Sequence, residues 1–142
     1  MTQRAKEIFH VLVADDSETD RFLIKAAIEL VPRLQIVAEV ANGTEAVAYL
    51  AGLGQFQDRR KFPLPDLLLL DLKMPFKDGF EVLEWLRTQN FTTLTVVVLT
   101  DSMDPEHLKR ALDLGADFFH VKGRSHQDRQ AMVLALEEYM LK

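Results

Sequence analysis

Four consecutive leucines, residues 67–70, constrain the fold of this chain more than any other part of its sequence. An aliphatic run of this length, bounded by polar and turn-forming residues, is typical of a strand whose two faces are both buried. Sheets made of such strands are parallel and are covered by helices on both sides. Asp71 follows the run directly, where an unpaired carboxylate costs free energy. The stretch therefore predicts a central strand that delivers one carboxylate to the edge of a parallel sheet.

The rest of the chain alternates between short apolar runs and helical periodicity. Strands are predicted at residues 8–14, 35–40, 66–72, 94–100 and 117–121, and helices at about 17–31, 44–53, 79–89, 104–114 and 126–141. This alternation predicts an α/β fold with right-handed crossovers and a parallel sheet. A chain of 142 residues has the size of one domain. We expect a single domain over residues 1–142, with a core over about 8–141 and an extended, irregular loop at 52–65.

The first predicted helix has a clear start and an apolar face. Ser17 and Asp20 match a capping box, in which the hydroxyl and the later carboxylate cover free backbone amides. The residues predicted to face the core form a stripe at helical spacing: Leu23, Ala27 and Leu30, flanked by Ile24 and Ile28.

Composition excludes several classes of function. Seventeen basic and twenty-two acidic residues give a net charge of −5, which argues against direct nucleic-acid binding because phosphates need a positive surface. The absence of cysteine excludes disulfides, thiolate catalysis and cysteine-ligated zinc. The sequence has no signal core and no apolar run of membrane-spanning length. We therefore expect a soluble cytoplasmic protein without a membrane partner.

Polar residues stand at the carboxyl ends of four predicted strands: Asp15 with Asp16, then Asp71, Thr100 and Lys122. Ligands of open α/β sheets bind beyond these ends, so the side chains are expected to converge on one pocket. Two carboxylates ~4 Å apart repel by about 4 kcal/mol at an effective dielectric of about 20. Three of them persist together if a cation or a proton neutralises the cluster. Oxygen ligands alone suit a hard ion, Mg²⁺ above all.

Thr100 and Lys122 give this predicted pocket the chemistry of phosphoryl binding. The ammonium and the hydroxyl can hold the outer oxygens of a phosphoryl group beside the metal. Asp71 is then the nucleophile and forms an aspartyl phosphate. Taken alone, each residue also has an ordinary explanation. Asp15 and Asp16 provide favourable charge at a helix N-terminus, Asp71 can reach solvent from a strand end, and Thr100 can be a plain strand residue or cap.

Four blocks of the sequence, in order, resemble the receiver domain of two-component response regulators: VLVADDSETDR, LLLLDLKMPFKDG, VVVLT and GADFFHVK. The resemblance covers roughly residues 8–141. The resemblance implies a doubly wound, flavodoxin-like fold with five parallel strands in the order 2-1-3-4-5 and five helices. It also implies that a histidine kinase phosphorylates Asp71 in a Mg²⁺-dependent reaction, and that a conformational switch carries the signal to a downstream protein.

The resemblance implies further roles, residue by residue. Asp16 would bind the metal directly and Asp15 mainly through water, together with the main-chain carbonyl of Lys73. Thr100 and Lys122 match the hydroxyl and the lysine that contact the phosphoryl group. Phe119 lies three residues before the lysine and matches the aromatic residue that turns inward when the hydroxyl moves.

The chain departs from the family pattern at three places. Gly123 stands where the family usually has proline after the lysine, and a cis bond before glycine costs roughly 2.5–4 kcal/mol, so a trans or rearranged loop is expected. Asp101 replaces a small residue after the threonine and predicts an atypical lifetime of the acyl phosphate. The segment 52–65 exceeds a minimal receiver and resembles the insertion of the stand-alone receivers that partner bacterial phytochromes.

The last predicted helix suggests how a signal leaves the domain. One face is expected in the core: Met132, Val133, Leu136, Tyr139 and Met140. Leu134 and Leu141 fall on the opposite face and form a candidate partner surface. The resemblance favours docking, or a homodimer, through helix 4, strand 5 and helix 5. The sequence ends directly after this helix, so we expect output through protein contacts.

Two other functions stay open at this point. The departures at Asp101 and Gly123 leave room for a phosphorylation-independent pseudo-receiver that only binds a partner. A Mg²⁺-dependent phosphatase with an aspartyl-phosphate intermediate is the second alternative, although such enzymes commonly place an acid at the position of Lys73. The sequence has no glycine-rich phosphate loop, which argues against nucleotide binding of the flavodoxin type. We expect no turnover of an external substrate.

Overall fold

Five parallel strands form one sheet in a computed structural model that describes residues 7–141. The strands are β1 (Phe9–Ala14), β2 (Leu34–Val40), β3 (Leu67–Leu70), β4 (Thr95–Thr100) and β5 (Phe118–Val121). The helices are α1 (Glu18–Ile28), α2 (Gly43–Ala51), α3 (Gly79–Arg87), α4 (Pro105–Asp113) and α5 (His126–Leu141). The strand order is β2-β1-β3-β4-β5. The predicted doubly wound, flavodoxin-like α/β fold is confirmed.

The four leucines of β3 explain why the sheet is buried on both faces. Leu67 and Leu69 point into one apolar cluster, which α1 and α5 cover with side chains such as Ile24 and Leu136. Leu68 and Leu70 point into the other cluster, which α2, α3 and α4 cover. All four leucines are at most 1% exposed. Burying one such side chain contributes about 1.5–3 kcal/mol, so β3 is a fixed centre from which Asp71 extends.

The first helix ends earlier than its apolar pattern predicts. The pattern continues to Val31, but α1 ends at Ile28, and the amides of Leu30 and Val31 bond to carbonyls three residues back. This tighter turn rotates Leu30 out of the stripe and leaves it 62% exposed. The prediction for Leu30 was therefore wrong, and Leu23 is only half-buried. The core face consists of Ile24, Ala27 and Ile28.

Helix α3 begins close to the end of β3 because Gly79 permits a very short approach. A Cβ atom at Gly79 would lie 2.4 Å from the carbonyl oxygen of Asp71. The amide of Gly79 donates to the carbonyl of Leu72 at 3.0 Å, and Asp78 with Glu81 forms a complete capping box. The turn after Asp71 is thus held firmly against the strand that carries it.

The segment 52–65 packs on the end of α2 around an aromatic group. Tyr49, Phe56 and Phe62 contact one another with ring centroids 5.0–6.1 Å apart. The Arg59 guanidinium donates to the carbonyls of Tyr49 and Leu50 at 2.8 Å and of Phe62 at 3.3 Å. Arg59, Arg60 and Lys61 are three consecutive basic residues, a pattern that usually indicates a solvated loop. Arg59 departs from that expectation because it satisfies the free carbonyls at a helix C-terminus.

Within residues 7–141, no helix combines the length and the apolar character that crossing a bilayer requires.

Replacing Arg59 by alanine is expected to lower the free energy of unfolding by about 1–3 kcal/mol, because three backbone carbonyls lose a charged donor. Arg60→Ala is the matched control, since the Arg60 side chain is exposed and its loss should change stability by less than about 0.5 kcal/mol. Urea unfolding followed by circular dichroism measures both variants. Equal midpoints for the two would contradict the anchoring role of Arg59.

Candidate functional site

Three carboxylates meet at the carboxyl edge of the sheet, and we call them the acidic cluster: Asp15, Asp16 and Asp71. One oxygen from each lies within 4.8 Å of the others. Asp15 follows β1 and Asp71 follows β3, and the amide of Asp71 donates to the carbonyl of Ala14 at 2.9 Å, which keeps the two strand ends in register. Asp15 and Asp71 are buried, whereas Asp16 is exposed.

Lys122, directly after β5, brings the compensating positive charge. Its Nζ atom lies 2.6 Å from Asp15 Oδ2, 2.9 Å from Asp20 Oδ2 and 3.4 Å from Asp71 Oδ2. Its amide donates to the carbonyl of Thr100 at 2.7 Å. The Lys122 side chain is only 9% exposed. Little water surrounds its charge, so it interacts strongly with the carboxylates.

Burial dominates the electrostatics of the nucleophile candidate. Burial, and to a smaller extent the charge of Asp15, raises the pKa of Asp71 to about 6, against the opposing effects of Lys122 and the Lys73 amide. Burial alone would lower the pKa of Lys122. Hydrogen bonds from its ammonium to Asp15 and Asp20, together with the negative charges of Asp71 and Asp15, outweigh burial and raise that pKa above its usual value. The lysine therefore stays charged, while the cluster retains an excess of negative charge.

Thr100 and Phe119 lie on the strands beside this cluster. Thr100 ends β4, is 1% exposed, and its hydroxyl accepts a hydrogen bond from the Ser102 amide at 3.2 Å. Phe119 lies in β5 and packs, half-buried, against the apolar cluster under α2, α3 and α4. The amide of Lys73 donates to Asp71 Oδ1 at 3.4 Å.

Leu134 and Leu141 lie apart from the site on α5 and are 52% and 49% exposed.

Asp20 is a site residue that sequence reasoning missed. The Ser17 hydroxyl accepts from the Asp20 amide at 3.1 Å, as the capping box predicts. The carboxylate of Asp20 does not complete the box, because the Ser17 amide donates to Asp15 Oδ1 at 2.9 Å and Asp20 contacts Lys122 instead. One signal could have found it: side chains in the first turn of a helix tilt back toward its N-terminus, here the end of β1.

Two further contacts fix the loops around the site. The Arg21 guanidinium donates to the main-chain carbonyl of Asp15 at 2.6 Å and lies 3.4 Å from Glu39.

A Cβ atom at Gly123 would lie 2.2 Å from the Cβ of Asp128 in α5, so only glycine fits beside this helix. No cis peptide bond occurs among residues 7–141, so the bond before Gly123 is trans. Asp101 is exposed.

The acidic cluster has the donor chemistry of a hard divalent cation. Its three carboxylates supply oxygen ligands only, and one ammonium cannot neutralise all of them. Oxygen ligands with excess negative charge suit Mg²⁺ or Mn²⁺. The residues present therefore fit such an ion.

Comparisons with known proteins point to one family. The family model of the response regulator receiver domain matches residues 11–134. Response regulator Rcp1 of Synechocystis sp. is 30% identical over 132 residues, which cover 92% of this chain and 88% of Rcp1. A protein-glutamate methylesterase/protein-glutamine glutaminase of Halalkalibacterium halodurans is 35% identical over 112 residues, but the match spans only 30% of that longer protein.

Solved structures give the same result. The Mn²⁺-bound form of Rcp1 superposes with a TM-score of 0.80 at 28% identity, covering 94% of this chain and 95% of that one. The phosphorylated cyanobacterial phytochrome response regulator RcpA superposes with a TM-score of 0.82 at 30% identity, covering 95% of both chains.

Asp71→Asn is expected to stabilise the metal-free protein at neutral pH. The folded state holds the Asp71 proton up to about pH 6, whereas the unfolded chain releases it near pH 4. The stability that Asp71 contributes is therefore fully present below about pH 4 and is lost as pH rises through 6. At about pH 7.5 the variant should be about 3 kcal/mol more stable than the native protein, because a shift of about two pKa units corresponds to that free energy.

Urea unfolding of both proteins in the presence of a chelator, from about pH 4 to 8, measures this difference. Asp113→Asn, at an exposed position of α4, controls for the loss of one negative charge. A stability gain that does not vary with pH would contradict the effect of burial on Asp71.

Proposed function

The chain belongs to the family of response regulator receiver domains, and from this premise we propose that it accepts a phosphoryl group on Asp71 from a histidine kinase. The observation that carries the proposal is the Lys122 ammonium, which lies 3.4 Å from Asp71 within the acidic cluster. The phosphorylated domain then signals through contacts with a downstream protein.

In the transfer step, a carboxylate oxygen of Asp71 attacks the phosphorus of the donor phosphohistidine. The new O–P bond forms as the P–N bond breaks, and the imidazole leaves with the electron pair of that bond and takes up a proton. The nucleophile reacts as the carboxylate, so protonation of Asp71 opposes the step. Bulk water has little access to this carboxylate, because the Asp71 side chain is only 7% exposed.

Lys122 and Thr100 hold the transferred group in this proposal. The ammonium balances charge on a phosphoryl oxygen, and the Thr100 hydroxyl donates to another oxygen once it turns away from the Ser102 amide. Phe119 then changes its rotamer as the space beside Thr100 changes. Phosphorylation biases the domain between two states in this way, which is a population shift and not a new fold.

Mg²⁺ is the cofactor that we assign to the acidic cluster. Asp16 and Asp71 would bind it directly, Asp15 mainly through water, and the main-chain carbonyl of Lys73 would complete the protein ligands. When bound, the ion supplies positive charge to the acids and to a phosphoryl oxygen. The solved Mn²⁺-bound form of Rcp1 supports this assignment.

The partners follow from the relatives of similar length. The match covers most of Rcp1 and of RcpA, and RcpA is a phytochrome response regulator. We therefore assign the kinase to the phytochrome-type photoreceptors, with the loop 52–65 as part of the same stand-alone receiver design. The expected location is the cytoplasm.

Stoichiometric uptake of one phosphoryl group from acetyl phosphate tests the proposal. Uptake should require Mg²⁺, stop on addition of a chelator, and be lost in Asp71→Asn, because the acceptor oxygen is gone. Intact-protein mass spectrometry measures it, and Asp113→Asn should behave like the native protein. Binding of a partner without any uptake would favour the pseudo-receiver, and repeated turnover of a phosphate ester would favour the phosphatase.

The exposed leucines of α5 form the second part of the proposal. Leu134 and Leu141 are 52% and 49% exposed, and Leu112 of α4 and Val121 of β5 are 44% and 42% exposed. We assign this surface of α4, β5 and α5 to a homodimer or a downstream partner, because removing exposed apolar surface from water favours association.

Replacing Leu134 and Leu141 by aspartate is expected to weaken self-association at least about tenfold, since a charge buried at an apolar interface costs more than the 1.4 kcal/mol that a tenfold change represents. Analytical ultracentrifugation with and without acetyl phosphate measures it. Leu53→Asp with Leu64→Asp is the matched control, because these leucines are similarly exposed elsewhere. An unchanged oligomeric state and partner affinity in the α5 variant would remove this surface from the proposal.

A further inference from the structure

The ammonium of Lys122 has three hydrogens and faces three carboxylates at unequal distances. Asp15 and Asp20 lie at 2.6 and 2.9 Å, which are the lengths of charge-assisted hydrogen bonds, whereas Asp71 lies at 3.4 Å. The residue proposed to react is therefore the one that the lysine holds least tightly. Asp20 accounts for one of the two short contacts.

The carboxylate of Asp20 is placed for this contact by the start of α1. Asp15 takes over the Ser17 amide, which a capping box would give to Asp20. Asp20 is thereby released from the helix end and reaches a lysine 102 residues away in the sequence. Its side chain is 33% exposed, in contrast to 9% for Lys122, so it holds the ammonium from the solvent side of the site.

The polar contacts described for the Lys122 ammonium come from carboxylate side chains and not from the backbone around it. Gly123 follows without a side chain, pressed against Asp128 at the start of α5. The polar contacts described for the Lys122 side chain are those with Asp15, Asp20 and Asp71. If Asp20 lost its charge, the ammonium would keep at most a weaker, neutral hydrogen bond at that position. The remaining carboxylate to which it could then move closer is Asp71, now at 3.4 Å.

We propose that Asp20 is a positioning residue that keeps the Lys122 ammonium from closing on Asp71 before phosphoryl transfer. This inference rests on the proposed function. A short Lys122–Asp71 ion pair would tie up the attacking oxygen, and it would have to break before that oxygen could reach phosphorus. With Asp20 in place, the ammonium stays where a phosphoryl oxygen can replace the long contact to Asp71.

Three variants separate this role from a general effect of charge. Asp20→Asn removes the charge with little change in shape, and Asp20→Glu restores it. Glu18→Gln is the matched control, because Glu18 lies in the same first turn of α1 and is exposed. Thermal unfolding confirms that each variant is folded before it is compared.

The kinetic readout is the rate of phosphoryl uptake from acetyl phosphate with Mg²⁺, measured over a range of donor concentrations. Asp20→Asn should lower the maximal rate about tenfold, as expected for one altered charge-assisted hydrogen bond. The donor concentration at half-maximal rate should stay the same, because the donor is still bound by the same groups. Asp20→Glu should recover most of the rate, and Glu18→Gln should match the native protein.

The structural readout needs neither metal nor donor. In a crystal structure of metal-free Asp20→Asn, the Lys122 Nζ–Asp71 Oδ2 distance should shorten from 3.4 Å to about 2.8 Å. If the native protein takes up phosphate but Asp20→Asn matches Glu18→Gln in rate and keeps the long distance, the role of Asp20 is overturned and the proposed function stands. If the native protein takes up none, the proposed function fails, and the distance alone decides whether Asp20 holds Lys122.

Discussion

The ion cluster between Lys122 and the buried carboxylates is the interaction on which the rest of the site depends. Asp15 and Asp71 extend from adjacent strands into a place with little solvent, where two like charges repel strongly. The ammonium at 2.6 and 3.4 Å makes this arrangement tolerable without fully balancing it. Burial still raises the pKa of Asp71 to about 6, so the folded chain keeps a site that a further cation would stabilise.

The fold makes this cluster possible because parallel strands end at the same edge. Two apolar layers fix the strands from opposite sides, and the four leucines before Asp71 contribute to both layers. Gly79 and Gly123 remove the side chains that would keep α3 and α5 away from the strand ends. Asp15 and Asp71 thus directly follow buried strands, which fits chemistry that depends on position.

Two local features of the sequence, periodicity and polar residues at strand ends, predicted the sheet. They also predicted that Asp15, Asp16, Asp71 and Lys122 lie at one edge of it. Leu30 was wrong because the last turn of α1 tightens, and apolar spacing carries no information on where a helix stops. Asp20 and Arg59 were missed for a different reason. Asp20 can either cap its own helix or contact Lys122, and Arg59 can either extend into solvent or donate to the carbonyls at the end of α2. Which contact forms depends on the groups that the fold brings within reach.

The same site is linked to α4 by a short series of hydrogen bonds. The Thr100 hydroxyl accepts from the Ser102 amide at 3.2 Å, and the Ser102 hydroxyl forms a hydrogen bond with His107 Nδ1 at 2.6 Å. His107 in turn lies edge-on to Phe80 of α3. If the Thr100 hydroxyl turns to a phosphoryl oxygen, the Ser102 amide loses its acceptor, and the loop between β4 and α4 loses one of its ties. In the proposed phosphorylated state, a charge change at Asp71 would reach α4 through this series of contacts if the Thr100 side chain changes its rotamer.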